Sequence, residues 1–145
     1  MFIKQLSVFI ENKKGRMLEV AKLMGNHKID IRALSVADTS DFGILRIIVN
    51  NPERAVEVFK ESGYAVSLND VIAISVEDKP GGLADAMQAL YDNGIEVDYM
   101  YAFNARKAER GFVVMRTNNL ERSIEALKSR GIDTLSEKKV YDLLV

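Results

Sequence analysis

Apolar positions along the chain switch between a period of two and a period near 3.6, and the switches mark its expected elements. Leu6, Val8 and Ile10 alternate with Ser7 and Phe9, the pattern of a half-buried strand. Met17, Val20, Ala21 and Met24 then recur at helical spacing, and Gly25 with Asn26 is expected to stop that helix. Residues 29–38 read as a second strand, Thr39 to Gly43 as a turn, and residues 44–49 as a third strand. Asn51 is placed to cap a second helix, with Pro52 in its first turn and Ala55, Val56 and Phe59 as its inner stripe. Gly63 closes that helix, and residues 64–68 read as a short fourth strand.

The same order then returns with almost no linker. Residues 71–76 read as a strand, and Leu83, Ala86, Met87 and Leu90 form the inner face of a helix that Asn93-Gly94 ends. Residues 95–103 and 111–117 are expected to pair across a polar loop containing Arg106, Lys107, Glu109 and Arg110. Residues 120–130 read as the last helix, and residues 132–135 and 140–144 as strands.

The return is a duplication. Gly15 and Gly81 both end a strand-like run and open a helix, and at the same offset of 66 positions Ile29-Asp30-Ile31 falls on Ile95-Glu96-Val97. Two extra residues in the second copy shift the offset to 68, which lays Asn50-Asn51-Pro52-Glu53-Arg54 on Asn118-Asn119-Leu120-Glu121-Arg122 and Gly63 on Gly131. A repeated unit spanning residues 1–69 and again 70–145 explains matches of this density in one order. Each copy reads βαββαβ, and right-handed crossovers place both of its helices on one face of a four-stranded antiparallel sheet. The expected class is α+β, two ferredoxin-like units in tandem. Either copy alone is small for an independent core, and edge strands invite pairing. The two sheets are therefore expected side by side as one antiparallel sheet with helices on one face.

Composition narrows the functional classes. Hydrophobic residues make up 48% and charged residues 28% of the 145, the profile of a soluble globule. A net charge of −1 gives no electrostatic footprint for nucleic acid and no polybasic membrane patch. No apolar run approaches a membrane span and the N-terminus has no signal-peptide pattern, so a cytoplasmic location is expected. With no cysteine, disulfides, thiolate metal sites and thiol catalysis are excluded, and one histidine leaves little for other catalysis.

The stretch Glu77-Asp78-Lys79-Pro80-Gly81-Gly82-Leu83 carries the candidate chemistry. A strand that turns through Pro-Gly-Gly into a helix leaves backbone N–H groups unpaired at the positive end of the helix dipole, which suits a carboxylate. Asp78 is placed either to face a ligand ammonium or to cap the helix. The plainer alternative is a tight turn with no ligand at all.

Asp78-Lys79-Pro80-Gly81-Gly82-Leu83, the strand Ile95-Glu96-Val97 and the run Tyr99-Met100-Tyr101-Ala102 together resemble the ACT domain, and the whole chain resembles a tandem pair of them. The resemblance implies a regulatory protein, not an enzyme, that binds a free amino acid where two such domains meet. It implies contacts from the loop between first strand and first helix, here Asn12, Gly15, Arg16, Met17 and Leu18 in one copy. In the other copy they are Asp78, Pro80, Gly81, Gly82 and Leu83, and the second strand adds Tyr99 and Tyr101. No catalytic residue, metal or cofactor is implied. The first copy departs from the pattern, since Asn12, Lys14 and Met17 stand where Asp, Pro and Leu are expected, so the two loops are not expected to bind equally. Output would pass through a protein partner or a homodimer.

Other features have competing readings. Tyr99 and Tyr101 share one side of a strand and either wall a ligand or pack at an interface. Arg110-Gly111-Phe112-Val113-Val114-Met115 faintly matches an RNA-binding sheet motif, but Val114 stands where a second stacking aromatic is needed. His27 reads as a surface residue or a helix C-terminal cap. An acylphosphatase-like hydrolase of this topology would use Arg16 with Asn50 or Asn51, but Asn12-Lys13-Lys14-Gly15-Arg16 lacks the glycine-rich phosphate cradle. The remaining alternative is an interaction scaffold without a ligand.

Overall fold

The structure, a computed structural model, describes residues 2–38, 41–103 and 110–144. The chain forms two compact units, Lys4–Asn69 and Asp70–Val145 together with Met1–Ile3. The βαββαβ pattern runs through it twice, as expected.

In the first unit, β1 (Ile3–Glu11) pairs antiparallel with β3 (Phe42–Val49), and β3 with the edge strand β2 (Ile31–Asp38). Helix α1 (Arg16–Asn26) sends Val20 and Met24, and α2 (Pro52–Glu61) sends Ala55, Val58 and Phe59, onto Leu6, Val8, Ile10, Leu45, Ile47 and Val49. Both helices therefore cover one face of this sheet, because alternate strand residues and the helical stripe point to the same layer. Asn51 caps α2 as its sequence predicts, accepting from the Arg54 N–H at 3.2 Å, and Pro52 lies in the first turn.

The second unit repeats the plan. β4 (Ala65–Glu77) pairs with β6 (Arg110–Thr117), and β6 with the edge strand β5 (Val97–Phe103). Helices α3 (Gly82–Asp92) and α4 (Leu120–Lys128) bury Ala86, Ala89, Leu90, Leu120, Ala126 and Leu127 against Ile72, Ile74, Val76, Val113 and Met115. Asn119 caps α4 as Asn51 caps α2, accepting from Arg122 N–H at 3.0 Å.

Four local expectations need correction. Residues 64–68 and 71–76 are not two strands: β4 runs unbroken over both, since Asn69-Asp70 contains neither glycine nor proline to break it. Residues 140–144 are not a strand but belong to α5 (Glu137–Leu144), which Ser136 starts by accepting from the Lys139 N–H at 3.1 Å. Val140 and Leu143 are spaced for a helix as well as for an irregular strand, and the cap decides between them. Of residues 132–135 only Thr134 bridges β4, opposite Ile74, with Leu135 N–H donated to the Ala73 carbonyl at 2.8 Å. Finally, Gly25 does not stop α1 but lies inside it; His27 is the C-cap and Lys28 adopts the left-handed conformation that Gly94 supplies after α3. The polar loop with Arg106, Lys107 and Glu109, and Thr39 and Ser40 of the expected turn, fall outside the described residues.

Candidate functional site

The two strand-to-helix turns share a left-handed glycine cap and the same pair of turn hydrogen bonds before it. Gly15 (φ 87°) and Gly81 (φ 88°) are the N-caps of α1 and α3, both left-handed, and neither helix has a side-chain cap. Glycine stands there because a side chain in that conformation is strained. Lys13 N–H bonds to Glu11 O and Arg16 N–H to Lys13 O, and Lys79 N–H bonds to Glu77 O and Gly82 N–H to Lys79 O. Asp78 is thus not the helix cap.

This pattern divides the expected donors. The Gly82 N–H is already committed to the Lys79 carbonyl, and a Cβ at Gly82 would lie 2.0 Å from the Glu77 carbonyl oxygen. Gly82 is required for that close approach and offers no donor. Among the described residues, the N–H groups of Gly81 and Leu83, and of Met17 and Leu18 in the first repeat, have no backbone acceptor. They are the orphan donors that a helix start leaves to water or to a ligand.

Side chains around the two turns differ. Asn12 donates its amide to Asp38 Oδ1 at 3.1 Å, which ties the first turn to the end of β2. A cleft of about 190 Å³ lies there, lined by Ile10, Glu11, Asn12, Lys13, Arg16, Met17, Val36, Asp38 and Gly43. Three of the sequence-predicted residues, Asn12, Arg16 and Met17, come together in it, with Met17 40% exposed. Gly15 and Leu18 lie beside it and outside its lining. Much of the positive charge of this turn is neutralised, since Lys13 pairs with Glu11 at 2.7 Å and Arg16 with Glu19 at 2.9 Å. The Lys13 ammonium, followed by Arg16, holds the Glu11 carboxyl below the usual carboxylate range. In the second turn Lys79 pairs with Glu77 at 2.5 Å and lowers its carboxyl in the same way. Asp78 and Pro80 are exposed, and the Asp78 carboxylate has no hydrogen-bond or ion-pair partner among the described residues. Leu83 packs partly against the second core.

Tyr99 and Tyr101 are half-buried and share one side of β5, but that side faces away from α3 and α4. The register shifts between Val97 and Tyr99, so Met100 and Ala102 are opposite the core residues Met115 and Val113, whereas the tyrosines are opposite Arg116 and Val114. Within their own repeat the tyrosines are therefore not brought to the Asp78–Leu83 turn. The same shift between Ile31 and Ala33 turns Leu34 and Val36 to the helix side of β2. Asp38 and Gly43 were not among the sequence-predicted residues, because they reach the turn only through the pairing of β2 with β3.

The competing chemistries find little support in the described residues. Phe112 is buried and stacked on Phe103 at a ring distance of 5.3 Å, so it presents no face to a base. Arg16 is engaged by Glu19 and Glu11 and is not directed to a phosphate. Among the described residues, no group of three or more His, Asp or Glu side chains is placed to hold a metal ion, and no helix is long and apolar enough to cross a membrane.

Comparison with known proteins agrees with this architecture. The chain matches the family described as an ACT domain pair over residues 1–144. The crystal structure of protein BT0572 from Bacteroides thetaiotaomicron is 39% identical, with a TM-score of 0.90, covering 99% of this chain and 98% of that one. Regulatory subunits of aspartate kinase from Thermus thermophilus and Thermus flavus share the fold, at 17% and 16% identity and TM-scores of 0.63. Each covers 87% of this chain, and 91% and 90% of the respective subunit is matched. No curated protein matches the sequence. With two βαββαβ units, two left-handed glycine turns into a helix and a family match over nearly its whole length, this chain belongs to the ACT domain pair family.

Proposed function

We propose that the protein is a regulatory module that binds a free amino acid at its strand-to-helix turns and passes the signal to a protein partner. The observation that carries the reading is the pair of left-handed glycine caps, each followed by first-turn amides with no backbone acceptor. The ligand carboxylate is held by the N–H groups of Gly81 and Leu83 in the second repeat, or of Met17 and Leu18 in the first, at the positive end of the helix. The ligand ammonium is met by Asp78 in the second repeat and by Asp38 in the first. The 190 Å³ cleft at the first turn is below the roughly 300–1,000 Å³ of drug-sized sites and on the scale of one small amino acid. ACT domain pairs are characteristically amino-acid-binding regulatory domains, which agrees with this chemistry. Binding that differs between two states of the protein would shift their populations and so reach the partner.

The test is a thermal-shift screen against the twenty amino acids. A true ligand at about a hundred times its dissociation constant adds roughly 2.7 kcal/mol of stability. Asp78→Ala is expected to weaken binding at the second turn about tenfold or more, the value of one charge-assisted hydrogen bond of roughly 1.5–3 kcal/mol. A flat response to all twenty, with Asp78→Ala and Asp38→Ala also silent, would favour a scaffold that only pairs with other proteins.

A further inference from the structure

A second cleft recurs at the same place in both repeats, on a different wall of the helix start. In the second repeat it has a volume of about 340 Å³ and is lined by Ser75, Glu77, Gly82, Asp85, Arg110 and Arg130, among others. In the first repeat the cleft of about 310 Å³ is lined by the corresponding Phe9, Glu11, Arg16, Glu19, Phe42 and Ser62. Each cleft lies within a single unit.

The first repeat shows what the two carboxylates of this cleft accept. The Arg16 guanidinium sits between them, with Nη1 2.9 Å from Glu19 Oε2 and Nη2 3.5 Å from Glu11 Oε2. It is two-thirds buried, and Tyr64 adds its hydroxyl to Glu19 at 3.4 Å. Glu19, followed by Glu11, raises the Arg16 pKa above its ordinary value, as a cation held by two acids requires.

The second repeat keeps the acids, Glu77 and Asp85, and replaces the arginine by Gly82. No other side chain can stand there, because a Cβ would meet the Glu77 carbonyl oxygen at 2.0 Å. Asp85 makes no hydrogen bond or close ion pair among the described residues, and Lys79, which sits on Glu77 as Lys13 sits on Glu11, is near enough to Asp85 to feel its charge. The rest of the lining has turned from aromatic to cationic, with Arg110 near enough to Glu77 to help lower its carboxyl. Arg110 replaces Phe42 and is pinned by its Nε to the Ser75 hydroxyl and by Nη2 to the Ser75 carbonyl at 3.3 Å; Arg130 replaces Ser62 and is held by Asp92 at 2.9 Å.

We propose that this cleft of the second repeat is a separate ligand site for a basic amino acid. Its guanidinium or ammonium side chain takes the place between Glu77 and Asp85 that Arg16 takes in the first repeat, and its α-carboxylate faces Arg110 and Arg130. The site does not depend on the amides of the turns. Two acids and two held guanidiniums lining one cleft select a molecule with opposite charges at its ends.

The experiment is a titration of the full chain with L-arginine, L-lysine and L-citrulline, followed by the amide NMR signals of Gly82 and Gly131 and by calorimetry. L-Arginine and L-lysine are expected to move both signals saturably, and citrulline, the neutral isostere of arginine, to bind at least tenfold more weakly. Asp85→Asn and Glu77→Gln are each expected to weaken arginine at least tenfold. Because the two carboxylates are exchanged for amides of the same shape, either variant that remains folded suffices. Equal binding of arginine and citrulline, or arginine binding untouched by Asp85→Asn, would overturn the proposal. Loss of arginine through Asp78→Ala alone would assign the ligand to the turn instead.

Discussion

At Gly82 the chain approaches itself too closely for any side chain, whereas at Lys28 a side chain occupies backbone that favours glycine. The clash at Gly82 is with the Glu77 carbonyl, part of the backbone and unable to move aside. Gly82→Ala is therefore expected to cost at least about 2 kcal/mol, at the upper end of overpacking penalties. The first repeat escapes the clash with Arg16 in that place, and its turn differs accordingly: Glu19 N–H reaches back to Gly15 O, where Ala84 N–H reaches back to Gly81 O. Lys28 has φ 56° and the second repeat has Gly94 in the corresponding place. Lys28→Gly is expected to raise stability by about 1 kcal/mol, the steric penalty of the left-handed region less the extra freedom of the unfolded chain. Urea midpoints of the two variants should move in opposite directions.

Among the elements, α5 departs furthest from the sequence pattern. Its existence rests on Ser136, whose hydroxyl accepts from Lys139 N–H and whose carbonyl accepts from Val140 N–H at 3.0 Å, and on Val140, which is fully buried. Ser136→Ala is expected to lose about 1 kcal/mol, the usual value of an N-cap, and to be detected as a lower urea midpoint. The caps Asn51 and Asn119 were legible because capping is a contact between residues three apart, within reach of local sequence. The face presented by Tyr99 and Tyr101 was not legible. A bulge reverses strand parity, and only the pairing partner on β6 reveals it.

Over the whole molecule the two repeats carry the same acid-to-base pairing at the same place. Glu11 beside Lys13 and Glu77 beside Lys79 both have carboxyls lowered from their ordinary value. A lowered carboxyl in the folded protein contributes stability that is present above the unfolded value, near 4.3, and is lost as pH falls through the lowered value. Acid unfolding curves should therefore be shallower for the double variant Glu11→Gln, Glu77→Gln than for the parent below about pH 4, with the two converging near neutrality only in slope. Both pairs are exposed, so the difference should shrink in high salt.

The amino-acid sequence determined the duplication, the helix stripes, the asparagine caps and the glycine turns, because each is written in contacts between near neighbours or in a repeat of the chain against itself. Of the candidate site it supplied Asn12, Arg16, Met17 and the open amides beside Gly15 and Gly81. Tertiary structure decided the rest: β4 continuing through Asn69-Asp70, the last residues closing as a helix, and Asp38 and Gly43 joining the first turn. It also set Gly82 against Glu77, and with it the difference between the two clefts. These depend on register and close approach between segments far apart in the chain, which no local pattern encodes.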